Sequence, residues 1–146
     1  VINFIRSGSD MAERILAEDI LHETENVELS LPVNAAYISA AKQTAFSVAG
    51  RMGFDAQEQH DIKTAVSEAC AYLIKGLAGG AAKAYTITFR LTGGHISISM
   101  SCPSGDITSF TDGDNNLQKI RYLVDHFEIL NNGSVFEIAM SKNHNE

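Results

Sequence analysis

Tyr85-Thr86-Ile87-Thr88-Phe89-Arg90-Leu91-Thr92-Gly93-Gly94-His95-Ile96-Ser97-Ile98-Ser99-Met100-Ser101-Cys102 alternates apolar and polar residues on both sides of a Gly-Gly pair. A period of two places every second side chain on one face of a strand. Tyr85, Ile87, Phe89 and Leu91 share a face before the glycines, and Ile96, Ile98, Met100 and Cys102 share one after them. Gly93-Gly94 supplies a tight hairpin turn. Each strand is therefore half-buried, with one face against helices and the other polar.

Working back toward the start, the period changes from two to 3.6. Ile62, Ala65, Val66, Ala69, Leu73 and Leu77 follow helical spacing, which predicts a helix from about Ala56 to Lys75. Asp55 and Glu58 form a capping box at its start, and Gly76, Gly79 and Gly80 break it. Before it, Asn34 caps a helix from about Ala35 to Met52, and Gly53 ends that helix in the left-handed conformation. Val27, Leu29 and Leu31 make a short strand, and Pro32 favours an edge or strand end.

Forward of the hairpin, Pro103 to Gly113 reads as a loop. A helix follows, from about Asn116 to His126, with Leu117, Ile120 and Leu123/Val124 inward. Phe127 to Leu130 is a strand, Asn132-Gly133 signals a type I′ hairpin, and Val135 to Met140 is the last strand. Two helices followed by an antiparallel meander make an α+β two-layer sandwich.

The 146 residues suit one domain. Residues 27–142 form it, residues 1–26 are an N-terminal extension, and the polar tail of residues 143–146 is expected to fray together with Lys142. Within the extension, Ser9 or Asp10 can cap a helix over residues 11–22. Its stripe of Met11, Ile15, Leu16, Ile20 and Leu21 suits packing on its own domain or on a second copy.

The net charge of -7 disfavours direct nucleic-acid binding. No run of about 18 apolar residues predicts a membrane-spanning helix. Val1 to Ile5 lacks the basic start of a signal peptide, so a cytoplasmic protein is expected. Cys70 and Cys102 have no metal or redox spacing and read as free thiols. His22, His60, His95, His126 and His144 show no ligand spacing, and no common catalytic or phosphate-loop motif is present.

One segment of the second helix carries more. Asp61-Ile62-Lys63-Thr64-Ala65-Val66-Ser67-Glu68-Ala69-Cys70 resembles the motif helix of the anti-sigma-factor serine kinases, of the GHKL or histidine-kinase-like ATPase superfamily. Ala49-Gly50-Arg51-Met52-Gly53-Phe54 is similar to the same family's helix end. Asn131-Asn132-Gly133-Ser134-Val135-Phe136 is similar to its last hairpin. The resemblance covers about Val27 to Lys142. It implies a two-layer sandwich of the Bergerat type, with a mixed, mostly antiparallel sheet and helices on one face.

Position by position, the resemblance puts the catalytic general base at Glu68. The magnesium-ligating Asn falls at Tyr72, whose phenol is bulkier than an amide and a poorer Mg²⁺ ligand. The strand end that supplies an adenine-reading Asp reads Ser101-Cys102-Pro103-Ser104-Gly105-Asp106, without that Asp in register. The phosphate lid reads Asp112-Gly113-Asp114-Asn115-Asn116-Leu117, with two carboxylates of the wrong charge. Ser134 stands where the family commonly has Thr and is the retained nucleotide-binding position.

These departures imply a vestigial Glu68, no cofactor, and ATP binding and kinase activity that are weak or lost. The implied function is anti-sigma-like regulation by switching between a sigma factor and an anti-sigma antagonist, as a homodimer. The alternative is an active Mg-ATP serine/threonine kinase acting on the antagonist, with Asp106 or Asp112 recruiting the metal. A third reading has residues 1–26 fixing the domain in a larger assembly. The small residues Ala35, Ala36, Ala40, Ala41 and Ala45 suit either close approach of a partner helix or packing on the sheet.

Overall fold

The computed structural model describes residues 24–107 and 115–144. The expected helix over residues 11–22 and the two lid aspartates lie outside these. In chain order the elements are β1 (Thr24–Pro32), α1 (Ile38–Arg51), α2 (Ala56–Leu77), β2 (Ala84–Thr92), β3 (His95–Pro103), α3 (Asn115–Leu123), β4 (His126–Asn131) and β5 (Val135–Asn143). Short 3₁₀ turns cover Ala35–Tyr37 and Ser104–Asp106.

The strands form one sheet in the order β1-β2-β3-β5-β4, and all four pairings are antiparallel. No parallel pairing occurs among the described residues, so the sheet is simpler than the mixed one expected. β1, with Pro32 at its end, lies at an edge as predicted. The β2–β3 hairpin pairs Thr92 with His95 across the glycines. Gly93 takes φ 57°, a left-handed value that a side chain rarely adopts.

The alternating residues face as expected. Tyr85, Ile87, Phe89, Ile96, Ile98, Met100, Phe136 and Ile138 are buried, in one core with Ala45 and Val48 of α1, Ile62 and Leu73 of α2, and Leu117 and Ile120 of α3. The described helices thus cover one face of the sheet. The other face carries small hydroxyl side chains along its middle, including Thr88, Ser97, Ser99 and Ser141, all half-buried. There Ser99 Oγ donates to Glu137 Oε2 at 2.6 Å.

The caps hold in detail. Asp55 accepts from Glu58 N (2.8 Å) while Glu58 Oε1 accepts from Asp55 N (2.9 Å), closing the capping box at the start of α2. Gly53 has φ 94°, past the end of α1. Asn34 Oδ1 accepts from Ala36 N at 2.8 Å, but the turn that it caps is 3₁₀ and α1 starts at Ile38.

Beyond that start of α1, four further features differ from expectation. Gly76 does not break α2: it is buried inside the helix, which runs on to Leu77, and Gly79 (φ 78°) makes the turn. α3 stops at Leu123, because Asp125 N donates to Ser141 O (3.0 Å) and its carboxylate accepts from Asn143 N (2.7 Å), drawing the chain to the sheet. The β4–β5 turn is not type I′, which needs positive φ at both central residues: Gly133 has φ 89°, and Asn132 does not. Instead Asn132 Oδ1 accepts from Ser134 N and Val135 N, both at 2.8 Å, so a side chain organises the loop.

The fourth concerns the tail. β5 continues through Lys142 and Asn143, and His144 is fixed. His144 N donates to Gly94 O at 2.7 Å, its ring meets Phe54 edge-on at 5.3 Å, and Nδ1 lies 3.2 Å from Glu58 Oε1. The chain beyond the expected last strand thus clasps the β2–β3 turn to the start of α2.

Candidate functional site

α2 packs against both α1 and α3 and carries Glu68 and Tyr72. Four residues apart on a helix, these two side chains share a face. The Glu68 side chain is 19% exposed, and its Oε2 lies 3.6 Å from Lys119 Nζ of α3. It does not project into bulk solvent from a plain surface helix. Tyr72 is buried, in the cluster that joins the helices to the sheet.

This donor set does not fit a magnesium ion. Mg²⁺ asks for oxygen ligands in near-octahedral array and retains its waters. Beside the Glu68 carboxylate stand an ammonium group and, one turn on, a buried phenol ring. Among the described residues no three His, Cys, Asp or Glu side chains gather as a metal cluster. Asp106 sits in the 3₁₀ turn after β3, where its charge adds to burial in pushing up the Cys102 thiol.

Ser134 belongs to a second group. It is exposed on the β4–β5 turn, and its carbonyl accepts from Ser104 N at 2.9 Å. Ser104 Oγ donates to Asn131 Oδ1 at 2.6 Å, and β3 pairs with β5 through Cys102–Phe136 and Pro103–Val135. The structure therefore joins the strand end Ser101–Asp106 to the hairpin Asn131–Phe136, two segments that the resemblance assigned to nucleotide contact.

The alanines of the first helix divide between their two readings. Ala41 and Ala45 are fully buried in this chain's own core, while Ala35, Ala36 and Ala40 are exposed. Tyr37 and Phe46 lie partly exposed along the same helical region, and Lys63 Nζ sits 5.4 Å from the centre of the Phe46 ring.

Two features were not legible in the sequence. Lys119 faces Glu68 through the packing of α2 and α3, and no local spacing signals that. Cys70 lies against Tyr85, whose buried hydroxyl has no nitrogen or oxygen partner among the described residues and only the Cys70 thiol beside it. Burial pushes the Cys70 thiol up to about 11, with the Tyr85 hydroxyl pulling it partly back. Tyr85 is raised too, first by burial and then by Cys70.

Surface depressions among the described residues include two that lie elsewhere. One of about 320 Å³, on the hydroxyl-lined side of the sheet, includes Ser97, His126, Glu128 and Ser141. The other, of about 440 Å³, lies between Glu25, Arg51 and Gly93. Neither is lined by Glu68, Tyr72 or Ser134. No helix among the described residues is long and apolar enough to cross a membrane.

No protein-family model matches the chain. A stretch of 56 residues is 34% identical to the serine-protein kinase RsbW of Bacillus mycoides (strain KBAB4), and equally to that of Bacillus thuringiensis (strain Al Hakam). The match spans 38% of this chain and 35% of the kinase, so it covers about a third of those relatives' length. In structure, the chain is similar to the RsbU and RsbW domains of Rv1364c from Mycobacterium tuberculosis, with a TM-score of 0.65 and 15% identity over 82% of this chain and 32% of that one. The chain thus shares its two-layer α+β fold with part of that solved protein, and a stretch of its sequence resembles the RsbW serine-protein kinases.

Proposed function

We propose that this protein is an anti-sigma-factor-like regulator that works by binding other proteins. It switches between a sigma factor and an anti-sigma antagonist, and its ATP binding and phosphotransfer are weak or lost. The observation that carries this reading is the face of α2 around Glu68. The buried Tyr72 stands at the position the resemblance gives to a magnesium-ligating Asn, and the Glu68 carboxylate is already paired with Lys119. A metal-nucleotide complex entering there would have to displace Lys119 and find its amide ligand elsewhere.

Calorimetric titration with ATP, with and without magnesium, tests it. The expected result is no binding up to about millimolar nucleotide, a free energy weaker than roughly -4 kcal/mol. The sequence match to serine-protein kinases supports the second reading, an active kinase. Micromolar, magnesium-dependent binding, with phosphotransfer to an antagonist that disappears in Glu68→Ala, would establish that reading and overturn the first.

A homodimer is part of the same proposal. Ala36, Tyr37 and Ala40 leave small and aromatic surface open around the start of α1, where a second helix can approach closely. Sedimentation equilibrium is expected to give twice the chain mass, and Ala40→Glu to give the single chain.

A further inference from the structure

α3 is basic within an acidic molecule, as is α1, whose Lys42 and Arg51 also stand without an acidic residue but whose Arg51 is paired with Glu25 at 3.1 Å. The nine residues of α3, Asn-Asn-Leu-Gln-Lys-Ile-Arg-Tyr-Leu, hold two basic side chains and no acidic one, in a chain of net charge -7. Leu117 and Ile120 face the core, which leaves Gln118, Lys119, Arg121 and Tyr122 outward. Tyr122 is 90% exposed, the most exposed of the large apolar and aromatic side chains described. The Arg121 guanidinium sits over the Phe127 ring, 4.9 Å from its centre. At the helix end, Lys142 Nζ donates to Leu123 O at 3.2 Å and adds a third positive charge.

Two neighbouring carboxylates among the described residues are engaged. Asp125 accepts from Asn143 N, and Glu68 pairs with Lys119. That pair is loose, at 3.6 Å, and the lysine side chain is 63% exposed while the glutamate is 19% exposed. A pair with one end in water contributes little and exchanges readily with another carboxylate.

We propose that α3 docks an acidic segment of a partner protein, and that a carboxylate of that segment takes Lys119 away from Glu68. Arginine held by an aromatic ring and an exposed tyrosine are the side chains that anchor protein interfaces. Charge complementarity selects the occupant: the basic strip draws carboxylates, while the net negative domain around it repels an extended polyanion. A short acidic segment fits the strip, and a nucleic acid does not. The proposal rests on reading the protein as a partner-binding module and names the face used and its link to Glu68.

The test uses the whole chain and decaglutamate as the probe, followed by ¹⁵N NMR. Expected are shifts at Lys119, Arg121, Tyr122 and Glu68, fading in about 0.5 M salt as the charges are screened. Lys119→Gln with Arg121→Gln is expected to weaken binding about tenfold, and Lys42→Gln on α1 to leave it unchanged. Lys119 and Arg121 are exposed and Lys42 is half-buried, and an unchanged thermal unfolding curve verifies the fold of each variant. Glu68→Gln removes the competing carboxylate and is expected to tighten binding roughly twofold to fivefold.

Shifts that avoid α3, equal shifts with decalysine, or tighter binding of a single-stranded oligonucleotide would each overturn the docking site. Unchanged or weaker binding by Glu68→Gln would overturn the exchange at Lys119. The nucleotide calorimetry separates this from the broader reading. A silent α3 together with absent ATP binding sinks the docking site alone, whereas tight Mg-ATP binding sinks the binding-module reading itself.

Discussion

Cys70 illustrates how placement sets chemistry at a single residue. It is wholly buried, and burial holds its thiol near 11 against an ordinary value of 9.0. At pH 8 the thiolate is therefore about a hundredfold scarcer than on a free cysteine. Labelling with a thiol reagent is expected to be at least that much slower in the folded chain and to reach the ordinary rate in denaturant. The same shift fixes a sign for stability. A thiol harder to ionise when folded favours the fold fully below about pH 9, and that contribution fades as pH rises toward 11. Urea midpoints measured from pH 8 to 11 are expected to fall over that window, and Cys70→Ala to flatten the fall. Tyr72 makes a second case. Replacing its buried ring in Tyr72→Asn is expected to lower stability by about 3 kcal/mol by urea unfolding, without creating ATP binding. The helical spacing around Glu68 was readable in the sequence, and it placed Glu68 on α2; the role proposed for it came from the family resemblance. Its partner Lys119 was not readable, because the pair depends on how two distant helices meet.

At the level of elements, local chemistry was readable where a side chain acts on its near neighbours. Asp55 and Glu58 are three apart, and the reciprocal bonds of their box follow from that spacing alone. Asp55→Ala is expected to cost about 1 kcal/mol, seen as a lower urea midpoint with an unchanged slope. Gly50 of α1 offers a finer test. A methyl group there meets the amide end of Gln59, which otherwise donates to Phe46 O at 3.1 Å. Alanine gains about 1 kcal/mol of helix propensity, and losing the Gln59 bond removes about as much. Gly50→Ala is therefore expected to change stability by less than about 0.5 kcal/mol, whereas a drop above about 2 kcal/mol would show a rigid contact. The turn Asn132-Gly133 was misread for a related reason. Asn-Gly favours type I′ when the backbone alone decides, but here the Asn132 side chain accepts two amides and sets another loop.

Across the whole molecule, the fold was readable because one pattern change, from helical to alternating period, marks where the layers meet. The order of strands was less so, since β3 pairs with β5 and β4 lies outside them, and only long-range packing decides that. The same order predicts where the molecule opens. β2, β3 and β5 each have neighbours on both sides, while β1 and β4 are edges. Hydrogen exchange is expected to be slowest at Ile87, Phe89, Ile98 and Ile138, and faster along β1 and β4. Uniform protection across all five strands would contradict that ranking. The nearness of Ser104 and Ser134 also follows from this order, because β3 ends where β5 begins, Pro103 opposite Val135.

The exposure of Tyr122 has an optical consequence. The chain has no tryptophan and four tyrosines, so its ultraviolet emission comes from phenol rings alone. Tyr72 and Tyr85 are enclosed, Tyr37 is half open, and Tyr122 stands almost wholly in water. A ligand without aromatic groups that covers α3 changes the surroundings of one ring and leaves the enclosed two dark to it. The molecule therefore carries its own unlabelled lamp on that helix, and Tyr122→Phe would switch it off while keeping the ring.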